Sequence, residues 1–535
     1  MTFFLDQHGC AKNQVDGELL IGILNSRGWA KTDIPEEAAL IIINSCGFIE
    51  SAKKESLDAV ITAREAYPKA KVLLAGCLAE RYADDLLDGL PEADAFFGNG
   101  DLSRIGEVLD RLFSANGIAP GDGTSPSKPL LVPEQKGVCG GDRPQMLSFP
   151  RSAYVKITEG CDNHCSFCAI PLIRGNLRSR AVRDIVEECR TLVSRGIYEI
   201  NLIGQDLAAY GFGTDDSVTG HGHPESFGSG DPSPLSLLLA AISALEGTFI
   251  VRLLYIHPDH FPRDILGVMT ADTRFLPYFD IPFQSGDEHT LNEMNRKGSA
   301  DSYRTLVGDI RAAFSSANSP YGKVALRTTF LVGFPGETDS SFETTARFSA
   351  DIRSMWSGAF TWSCEEGTKA ESLKKRVPKK TAKMRLDTLR EIQIRITPEE
   401  LLFFVGKTVD VLVEELIQES PAATSVATGP SATAAKTVSS SAPVATAATV
   451  SAAATATATT AATVPAPESA SSMNVPTSRL ALGRAWFQAP EVDGAVVLQF
   501  EDNQKDKAGN AIGAGSIVEA YIMAVNGVDV EAVVR

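Results

Sequence analysis

Short apolar runs alternate with longer amphipathic stretches along the first 113 residues. The runs have the length of buried strands, and the stretches between them have the spacing of helices. The predicted strands are residues 3–5, 40–43 and 72–74, and the predicted helices are residues 19–24 and 52–67. Strands that alternate with helices build a parallel sheet covered by helices. We therefore predict an N-terminal parallel-sheet domain over residues 1–113.

The same alternation returns after a segment without periodicity. Residues 114–150 are rich in Gly, Pro and Ser, which indicates a linker. Strand-like runs then alternate with helical stretches, at residues 153–157, 199–203, 249–255, 278–281, 325–332 and 358–363. This repetition predicts an α/β barrel, complete or partial, over residues 151–400. The predicted class of both domains is α/β.

A Gly-, Ser- and Asp-rich stretch at residues 213–234 interrupts the central domain. Its composition predicts a surface insertion. The stretch carries His221 and His223, so a two-His metal site is an alternative, although a plain surface loop is the favoured interpretation.

The last part of the chain has an interrupted strand pattern. Residues 406–417 are typical of a strand, and the pattern resumes at Ala485 and continues to Val534. Between them, residues 418–478 consist almost wholly of Ala, Thr, Ser, Val and Pro. Such low complexity cannot build a specific core. We predict a small β-barrel over residues 401–535, interrupted by a disordered insertion.

Composition limits the classes of function. The 535 residues carry a formal net charge of −17, which argues against broad electrostatic capture of nucleic acid. The first residues show no secretion signal, and no apolar run is long enough to span a membrane. Nine cysteines in such a chain favour metal or redox ligands over disulfides. We expect a cytoplasmic protein that has no membrane segment.

One group of cysteines has a spacing of three and two intervening residues. Cys161, Cys165 and Cys168 follow the first strand of the predicted barrel, at the edge where α/β barrels carry their active sites. Iron–sulfur clusters are commonly held by four cysteines, so three suggest a cluster with one iron open to a ligand. Structural zinc also takes four ligands, and His164 would have to supply the fourth from inside the tight loop. Zinc and incidental thiols remain the less favoured alternatives.

Three further cysteines each follow a predicted strand of the N-terminal domain. They are Cys10, Cys46 and Cys77. Residues just past the ends of parallel strands lie on one sheet edge, where α/β folds bind ligands. A glycine adjoins each of these cysteines and permits close backbone approach: Gly9, Gly47 and Gly76. We predict a second cluster with three cysteine ligands, with buried core thiols as the alternative.

The remaining cysteines have no evident partners. Cys139 lies in the linker, Cys189 in a charged helical stretch and Cys364 beside two glutamates. We predict structural roles for all three.

The two cysteine groups together resemble the methylthiotransferases, a branch of the radical S-adenosylmethionine (SAM) enzymes. Residues 8–16 (His-Gly-Cys-Ala-Lys-Asn-Gln-Val-Asp), 43–53 and 159–168 look like the RimO type. That type methylthiolates the β-carbon of an aspartate in small-subunit ribosomal protein S twelve, and it consumes one SAM as methyl donor and one as radical source. The resemblance implies an N-terminal methylthiotransferase domain, a radical SAM barrel and a C-terminal TRAM barrel.

The resemblance also assigns the cysteines and the cofactors. It implies that Cys161, Cys165 and Cys168 hold the 4Fe-4S cluster whose open iron binds SAM. Cys10, Cys46 and Cys77 would hold an auxiliary 4Fe-4S cluster, and the edge that bears them must face the barrel mouth. No catalytic residue beyond these ligands is assigned.

The target is predicted to be protein rather than RNA. Methylthiotransferases that act on tRNA tend to carry Gln-Met-Asn after the first cysteine and Val-Arg-Glu after the second, and this chain has neither. Gln284-Ser285 departs from the RimO type, which more often has Gln-His, and Ala11 replaces a more usual Pro. The two parts of the predicted C-terminal barrel, residues 401–417 and 477–535, hold six Lys and Arg against eleven Asp and Glu, a net charge of −5. An acidic barrel suits a basic ribosomal protein better than RNA.

Several residues are predicted to line the SAM pocket, each with a structural role as the alternative. They are Tyr154, Lys156, Gln205 and Arg327, with Arg174 and Arg178 beside the cysteine loop. Residues 333–337 (Gly-Phe-Pro-Gly-Glu) match a family turn near the adenosine, and residues 365–368 (Glu-Glu-Gly-Thr) match a family signature to which we assign no role.

The resemblance implies partners as well. They are ribosomal protein S twelve, free or in the ribosome, and a low-potential electron donor such as flavodoxin or ferredoxin; RNA is not expected to be the main partner. The first alternative function is a MiaB-like tRNA-adenosine methylthiotransferase. The second is a non-catalytic iron–sulfur electron carrier or ribosome-binding adaptor.

Overall fold

The computed structural model of the protein describes residues 1–114, 128–135, 140–213, 231–417 and 478–535. These residues fall into two units, 1–400 and 401–535. The predicted insertion at 418–478, apart from Ser478, lies outside the described residues, as do Cys139, His221 and His223.

A six-stranded parallel sheet with the order β2-β1-β3-β4-β5-β6 forms the N-terminal part of the first unit. Its strands are β1 Thr2–Gln7, β2 Ala30–Lys31, β3 Leu40–Ser45, β4 Lys71–Gly76, β5 Ala95–Phe97 and β6 Leu130–Leu131. Its helices are α1 Ala11–Ser26, α2 Glu50–Ala66, α3 Cys77–Gly89 and α4 Ile105–Phe113. Every residue of β3 is buried, because parallel strands are covered by helices on both faces. The predicted parallel-sheet domain is confirmed.

Helix α1 is buried along most of its length, including its charged residues. It packs against β1 of its own sheet and against β7 (Ser152–Lys156) of the following sheet. Asp16 and Glu18 are each at most 2% exposed. The helix is therefore an internal layer between two sheets.

The central sheet is also parallel and follows chain order, β7-β10-β11-β12-β13-β14. Its remaining strands are β10 Glu199–Ile203, β11 Ile250–Leu253, β12 Phe275–Asp280, β13 Ala325–Val332 and β14 Trp356–Thr361, and a two-stranded pair is formed by β8 Thr158–Glu159 and β9 Arg178–Ser179. The helices are α5 Ile170–Arg174, α6 Val182–Ser194, α7 Pro234–Ser243, α8 Ile265–Ala271, α9 Glu288–Glu293, α10 Ala300–Ser316, α11 Asp339–Ile352 and α12 Lys379–Leu401. The sheet is open, so the predicted α/β barrel is present in its partial form.

Part of the predicted linker at residues 114–150 is structured. Strand β6 joins the edge of the N-terminal sheet beside β5. Arg143 is 4% exposed and pairs with Glu18 and Glu188. The Pro- and Gly-rich composition conceals both features, because a two-residue strand and one buried cation leave no periodic signal.

The second unit is a closed five-stranded barrel with the order β15-β16-β17-β19-β18. Its strands are β15 Thr408–Ile417, β16 Ser478–Ala485, β17 Val496–Glu501, β18 Ile517–Asn526 and β19 Asp529–Val534. Alternate residues such as Val496, Leu498 and Phe500 point inward. The predicted small β-barrel is confirmed, but β16 begins at Ser478, seven residues before the predicted resumption at Ala485.

Within the described ranges, no helix combines the length and the apolar character that a membrane span requires.

Candidate active site

Three cysteines lie at the carboxyl edge of the N-terminal sheet, each just after a neighbouring strand. Cys10 follows β1 at the N-cap position of α1, Cys46 follows β3, and Cys77 follows β4 as the first residue of α3. These strands are adjacent in the sheet, so their ends meet at one crevice. The N-termini of α1 and α3 point their partial positive charge at this edge, which stabilises thiolates. We call these cysteines the dispersed triplet.

Glycines beside the dispersed triplet let its loops approach one another. Gly9 has a φ of +89°, and a Cβ atom there would lie 3.1 Å from the Cys46 Cβ atom. A Cβ atom on Gly47 would lie 2.5 Å from the Cys77 carbonyl oxygen. Any larger residue would push these loops apart. The strand order brings the cysteines to one edge, and the glycines close the remaining distance.

The thiols of the dispersed triplet are shielded from water to different extents. Cys10 is exposed, Cys46 is half-buried and Cys77 is buried. Burial, with repulsion from Cys77 and Cys10, raises the pKa of Cys46 to about 12. Burial also raises the pKa of Cys77, although the Arg174 guanidinium opposes the shift. Binding of iron would have to displace the protons from these thiols.

Two side chains donate hydrogen bonds to the Cys77 sulfur. Asn99 Nδ2 lies 3.3 Å from it and Arg174 Nη2 lies 3.2 Å from it. Donors of this kind stabilise a thiolate and orient it as a ligand. Arg174 belongs to the central domain, so the two domains share the environment of this cysteine.

The other three cysteines share one loop, between β8 and α5. The Cys168 N–H donates to the Cys165 carbonyl at 3.0 Å, and the Cys161 N–H donates to the Gly175 carbonyl at 3.1 Å. The loop is thus closed by its own backbone. His164, the alternative fourth ligand, is exposed and has a φ of +47°. We call Cys161, Cys165 and Cys168 the local triplet.

The thiols of the local triplet also lie close enough to interact. Burial raises the pKa of Cys161, and Asp206 and the other two thiols add to the shift. Burial, with Cys165 beside it, raises the pKa of Cys168 to about 12. Arg296 is buried and hydrogen-bonds to the Cys165 sulfur; although burial opposes the shift, the charges of Cys165, Tyr303 and Asp259 raise the pKa of this guanidinium.

A hydrogen-bonded chain links the local triplet to the end of β11. Asn163 Nδ2 lies 3.4 Å from the Cys161 sulfur and donates to Asp206 at 2.8 Å. The same carboxylate pairs with His260 Nε2 at 2.6 Å. These contacts, with burial opposing them, hold the pKa of Asp206 well below its usual range. The sequence interpretation missed Asp206, although its place just after β10 is a signal for a site residue.

Arg174 joins the two domains. Its Nη1 atom lies 2.7 Å from Asp16 Oδ2 and 3.2 Å from Glu159 Oε1, while its Nη2 atom reaches the Cys77 sulfur. Lys156 pairs with the same two carboxylates. All four charged groups are buried, so the pairs compensate one another in a low-dielectric setting.

A second ionic contact between the domains is centred on Glu365. This buried carboxylate accepts from Lys53 Nζ at 3.1 Å and from Arg81 Nη1 at 3.0 Å. Arg81 also donates to the Glu366 carbonyl at 2.8 Å. Lys53 and Arg81 lie on α2 and α3. The motif at residues 365–368, to which the sequence assigned no role, thus fixes the N-terminal helices against the central domain.

The four predicted SAM-pocket residues fall into separate settings. Tyr154 and Lys156 are buried on β7. Gln205 Nε2 donates to Glu159 at 2.9 Å, and its Oε1 atom is buried without a partner. Arg327 pairs with Asp280 at 3.2 Å. Glu159 thus contacts both Lys156 and Gln205. The roles of the four predicted residues as SAM contacts stay predictions.

Lys12 occupies the first turn of α1, two residues after Cys10. Its Nζ atom lies 3.0 Å from the centroid of the Tyr255 ring. Burial lowers the pKa of Lys12 to about 8, while Cys10 and Asp280 oppose the shift. The side chain therefore extends from the dispersed triplet to the end of β11.

Three other predicted features were located. Gly333 and Phe334 donate their N–H groups to Glu337, which closes the predicted turn after β13. Cys189 is buried in α6, whereas Cys364 is exposed. Structural roles for both remain predictions.

The spacing of the donors bears on the choice between zinc and iron. No group of three Cys, His, Asp or Glu residues within the described ranges is arranged around a single metal ion. Zinc draws all its ligands to about 2–2.3 Å from one point. Each cysteine of a 4Fe-4S cluster instead binds a different iron atom. Each triplet offers three thiols, one donor fewer than structural zinc takes, whereas three thiols can bind three irons of a 4Fe-4S cluster and leave the fourth open.

Comparison with known proteins adds independent findings. Residues 2–98 match the uncharacterized protein family UPF0004, residues 155–349 match the radical SAM superfamily, and residues 474–534 match the TRAM domain. The ribosomal protein uS12 methylthiotransferase RimO of Treponema denticola is 52% identical and covers 99% of this chain and 100% of its own length. The proteins of the same name from Bdellovibrio bacteriovorus and Thermotoga maritima are 36% and 35% identical, over 77% and 76% of this chain and 85% and 86% of their own.

Proposed function

The chain belongs to the ribosomal protein uS12 methylthiotransferase family, and from this we propose that it attaches a methylthio group to the β-carbon of an aspartate of that protein. It is a radical SAM enzyme with an N-terminal parallel-sheet domain and a C-terminal TRAM barrel. Membership of the radical SAM superfamily implies SAM and a 4Fe-4S cluster as cofactors. The second cluster, the target atom and the use of two SAM molecules per turnover belong to the proposal.

The donor sets support two clusters with three ligands each. The local triplet would hold the cluster that binds SAM, and the dispersed triplet would hold the auxiliary cluster. In both sets the thiols are close enough for their charges to act on one another, and side-chain donors lie beside Cys77, Cys161 and Cys165. Hydrogen bonds to sulfur of this kind tune iron–sulfur sites. When bound, the clusters and SAM would supply the electron, the hydrogen-abstracting radical and the methylthio group.

The chain's own residues would bind SAM, orient the loop of the local triplet and exclude water. Tyr154, Lys156, Gln205 and Arg327 are proposed to line the SAM pocket. Asn163 and Asp206 hold the loop of the local triplet from one side. The buried layer of α1 covers the space between the two sheets and keeps water from a reactive radical.

One observation carries the proposal. Arg174 lies at the end of the short helix that follows the local triplet, and its guanidinium donates to the sulfur of Cys77 at 3.2 Å. A single side chain thus connects the loop of one triplet with a member of the other. Transfer of a methylthio group from one cluster to a substrate carbon that is activated at the other would need this proximity.

We propose the partners on chemical grounds. The acidic TRAM barrel complements a basic ribosomal protein, free or in the ribosome. Radical formation needs one electron, so a low-potential donor such as flavodoxin or ferredoxin is required. We place the reaction in the cytoplasm, where ribosomes are.

The test is a substrate comparison. The anaerobically reconstituted enzyme is incubated with SAM, a reductant and either purified uS12 or undermodified tRNA. We expect one methylthio group on an aspartate of uS12, detected by mass spectrometry, together with 5′-deoxyadenosine. Thiomethylated nucleoside with unmodified uS12 would overturn the target assignment. Absence of 5′-deoxyadenosine would favour a non-catalytic electron carrier or adaptor.

A further inference from the structure

Lys12 is a buried cation with no carboxylate in direct contact, although the charges of Cys10, Asp280 and Glu159 act on it from farther away. The residue is 8% exposed, and its ammonium contacts the Tyr255 ring at 3.0 Å from the centroid. No carboxylate in the described parts of the chain lies within 4.0 Å of its Nζ atom, and no hydrogen-bond acceptor there pairs with it. A buried charge without a counter-ion in direct contact is costly, so Lys12 is a candidate to bind an anionic ligand.

Two neighbouring cations differ from Lys12 in their partners. Lys156 and Arg174 are buried in the same interface, and both pair with Asp16 and Glu159. Carboxylates of the interface therefore neutralise both of these cations. Lys12 is left with an aromatic face, which attracts an ammonium but leaves its N–H donors free for an anion.

Tyr255 has a strained backbone conformation. It lies just beyond β11 with a φ of +68°, a conformation rare for a bulky residue. Its carbonyl oxygen accepts from the Leu207 N–H at 2.9 Å, which helps to fix the strained residue. Strain of this kind clusters at functional sites, where it positions a group before the ligand arrives.

Lys12 lies between Cys10 of the dispersed triplet and the strand ends of the central sheet. Cys10 of the dispersed triplet caps the same helix, and the charges that act on Lys12 include Asp280 at the carboxyl end of β12. The substrate carbon has to reach both the radical formed at the central domain and the sulfur held at the N-terminal domain. The ammonium therefore lies at the place where the substrate side chain has to enter.

We propose that the Lys12 ammonium pairs with the carboxylate of the target aspartate and so selects this side chain and positions its β-carbon. This inference rests on the proposed function, in which the substrate residue is an aspartate. A charged hydrogen bond to a desolvated carboxylate discriminates strongly against the isosteric amide. Lys12 would thus be the specificity-determining residue of the reaction.

The experiment is a cycle that combines protein and substrate changes. The wild type and the variants Lys12→Met and Lys12→Arg are each assayed with two peptides of uS12. One peptide carries the target Asp, and the other carries Asn at the same position. Lys54→Met, at an exposed lysine of α2, is the matched control. The readout is the ratio of kcat/KM for the Asp and Asn peptides, which does not depend on the fraction of active enzyme.

We expect wild type and Lys54→Met to prefer Asp by about 100-fold, as a charged hydrogen bond allows. Lys12→Met should lower this preference to about threefold or less, and Lys12→Arg should retain at least about tenfold. If turnover of a variant is too slow to measure, the ratio of peptide dissociation constants from fluorescence anisotropy replaces it.

Other results would overturn the inference. An unchanged Asp preference in Lys12→Met, with equal losses on both peptides, would give Lys12 a purely structural role. A raised KM for SAM with the Asp preference intact would assign the ammonium to SAM. If the wild type modifies neither the Asp peptide nor intact uS12, the proposed function itself fails and this inference fails with it.

Discussion

The two cysteine triplets each supply three thiols, but they are assembled in different ways. The local triplet lies in one loop, closed by the hydrogen bonds of Cys168 and Cys161 to nearby carbonyls. The dispersed triplet is assembled from three strand ends, and only the order β1-β3-β4 and the adjoining glycines bring it together. The local site therefore depends on a short segment, whereas the dispersed site depends on the folded sheet. The two sites should respond differently to the same kind of change.

Removal of the local triplet should have the largest effect. Replacement of Cys161, Cys165 and Cys168 by Ala should abolish both 5′-deoxyadenosine formation and methylthiolation of uS12, because SAM loses its cluster. Product analysis after anaerobic incubation measures both activities. Cys364→Ala, at an exposed thiol outside both triplets, is the control and should behave as wild type. Residual 5′-deoxyadenosine would mean that the local triplet is not the radical site.

Removal of the dispersed triplet should separate the two activities. Replacement of Cys10, Cys46 and Cys77 by Ala should leave about four irons per chain instead of about eight. Methylthiolation should disappear, while 5′-deoxyadenosine continues to form, since that step needs only the central domain. Iron analysis and chromatography of the products check both results. Retention of all the iron would remove the auxiliary cluster from the account.

A single glycine should disturb the dispersed site alone. Gly47→Ala places a Cβ atom 2.5 Å from the Cys77 carbonyl oxygen, which forces the loops apart. We expect a loss of about 1–3 kcal/mol in the free energy of unfolding and a lowered occupancy of the auxiliary cluster. Denaturant unfolding and iron analysis provide the measurements. Gly89→Ala meets nothing within 4 Å and should change stability by no more than about 0.5 kcal/mol.

The ionic contact at Glu365 should have the smallest effect on chemistry. Glu365→Gln leaves Lys53 and Arg81 without their buried anion, so the N-terminal helices lose a fixed contact with the central domain. We expect methylthiolation to fall about tenfold, as misplacement of reacting groups does. Formation of 5′-deoxyadenosine should change less. Glu366→Gln, at the exposed neighbour, should leave both rates unchanged, and equal losses in the two variants would contradict the role of Glu365.

Both triplets could be predicted from the sequence, although from different signals. The local triplet is visible as a spacing, and the strands that carry the dispersed triplet are visible as buried runs such as residues 40–43. Parallel strands then place Cys10, Cys46 and Cys77 on one edge. The glycines beside them were recognised for the same reason, since only a close approach requires them.

The contacts between the domains could not be predicted. Asp16 and Glu18 are charged, which by itself favours the surface, but they are buried because Lys156, Arg174 and Arg143 from distant parts of the chain pair with them. Burial of a charge depends on a partner whose position only the fold determines. The burial of Arg143 could not be predicted for a similar reason, because the composition of the surrounding segment indicates only a linker.

The central claim is that the sheet edge builds a second cluster site independently of the local triplet. The most direct test is Mössbauer spectroscopy with iron analysis on the variant in which Cys161, Cys165 and Cys168 are all Ala. We predict about four irons per chain with the signature of one 4Fe-4S cluster, held by Cys10, Cys46 and Cys77. A folded variant that binds no iron after reconstitution would contradict the claim.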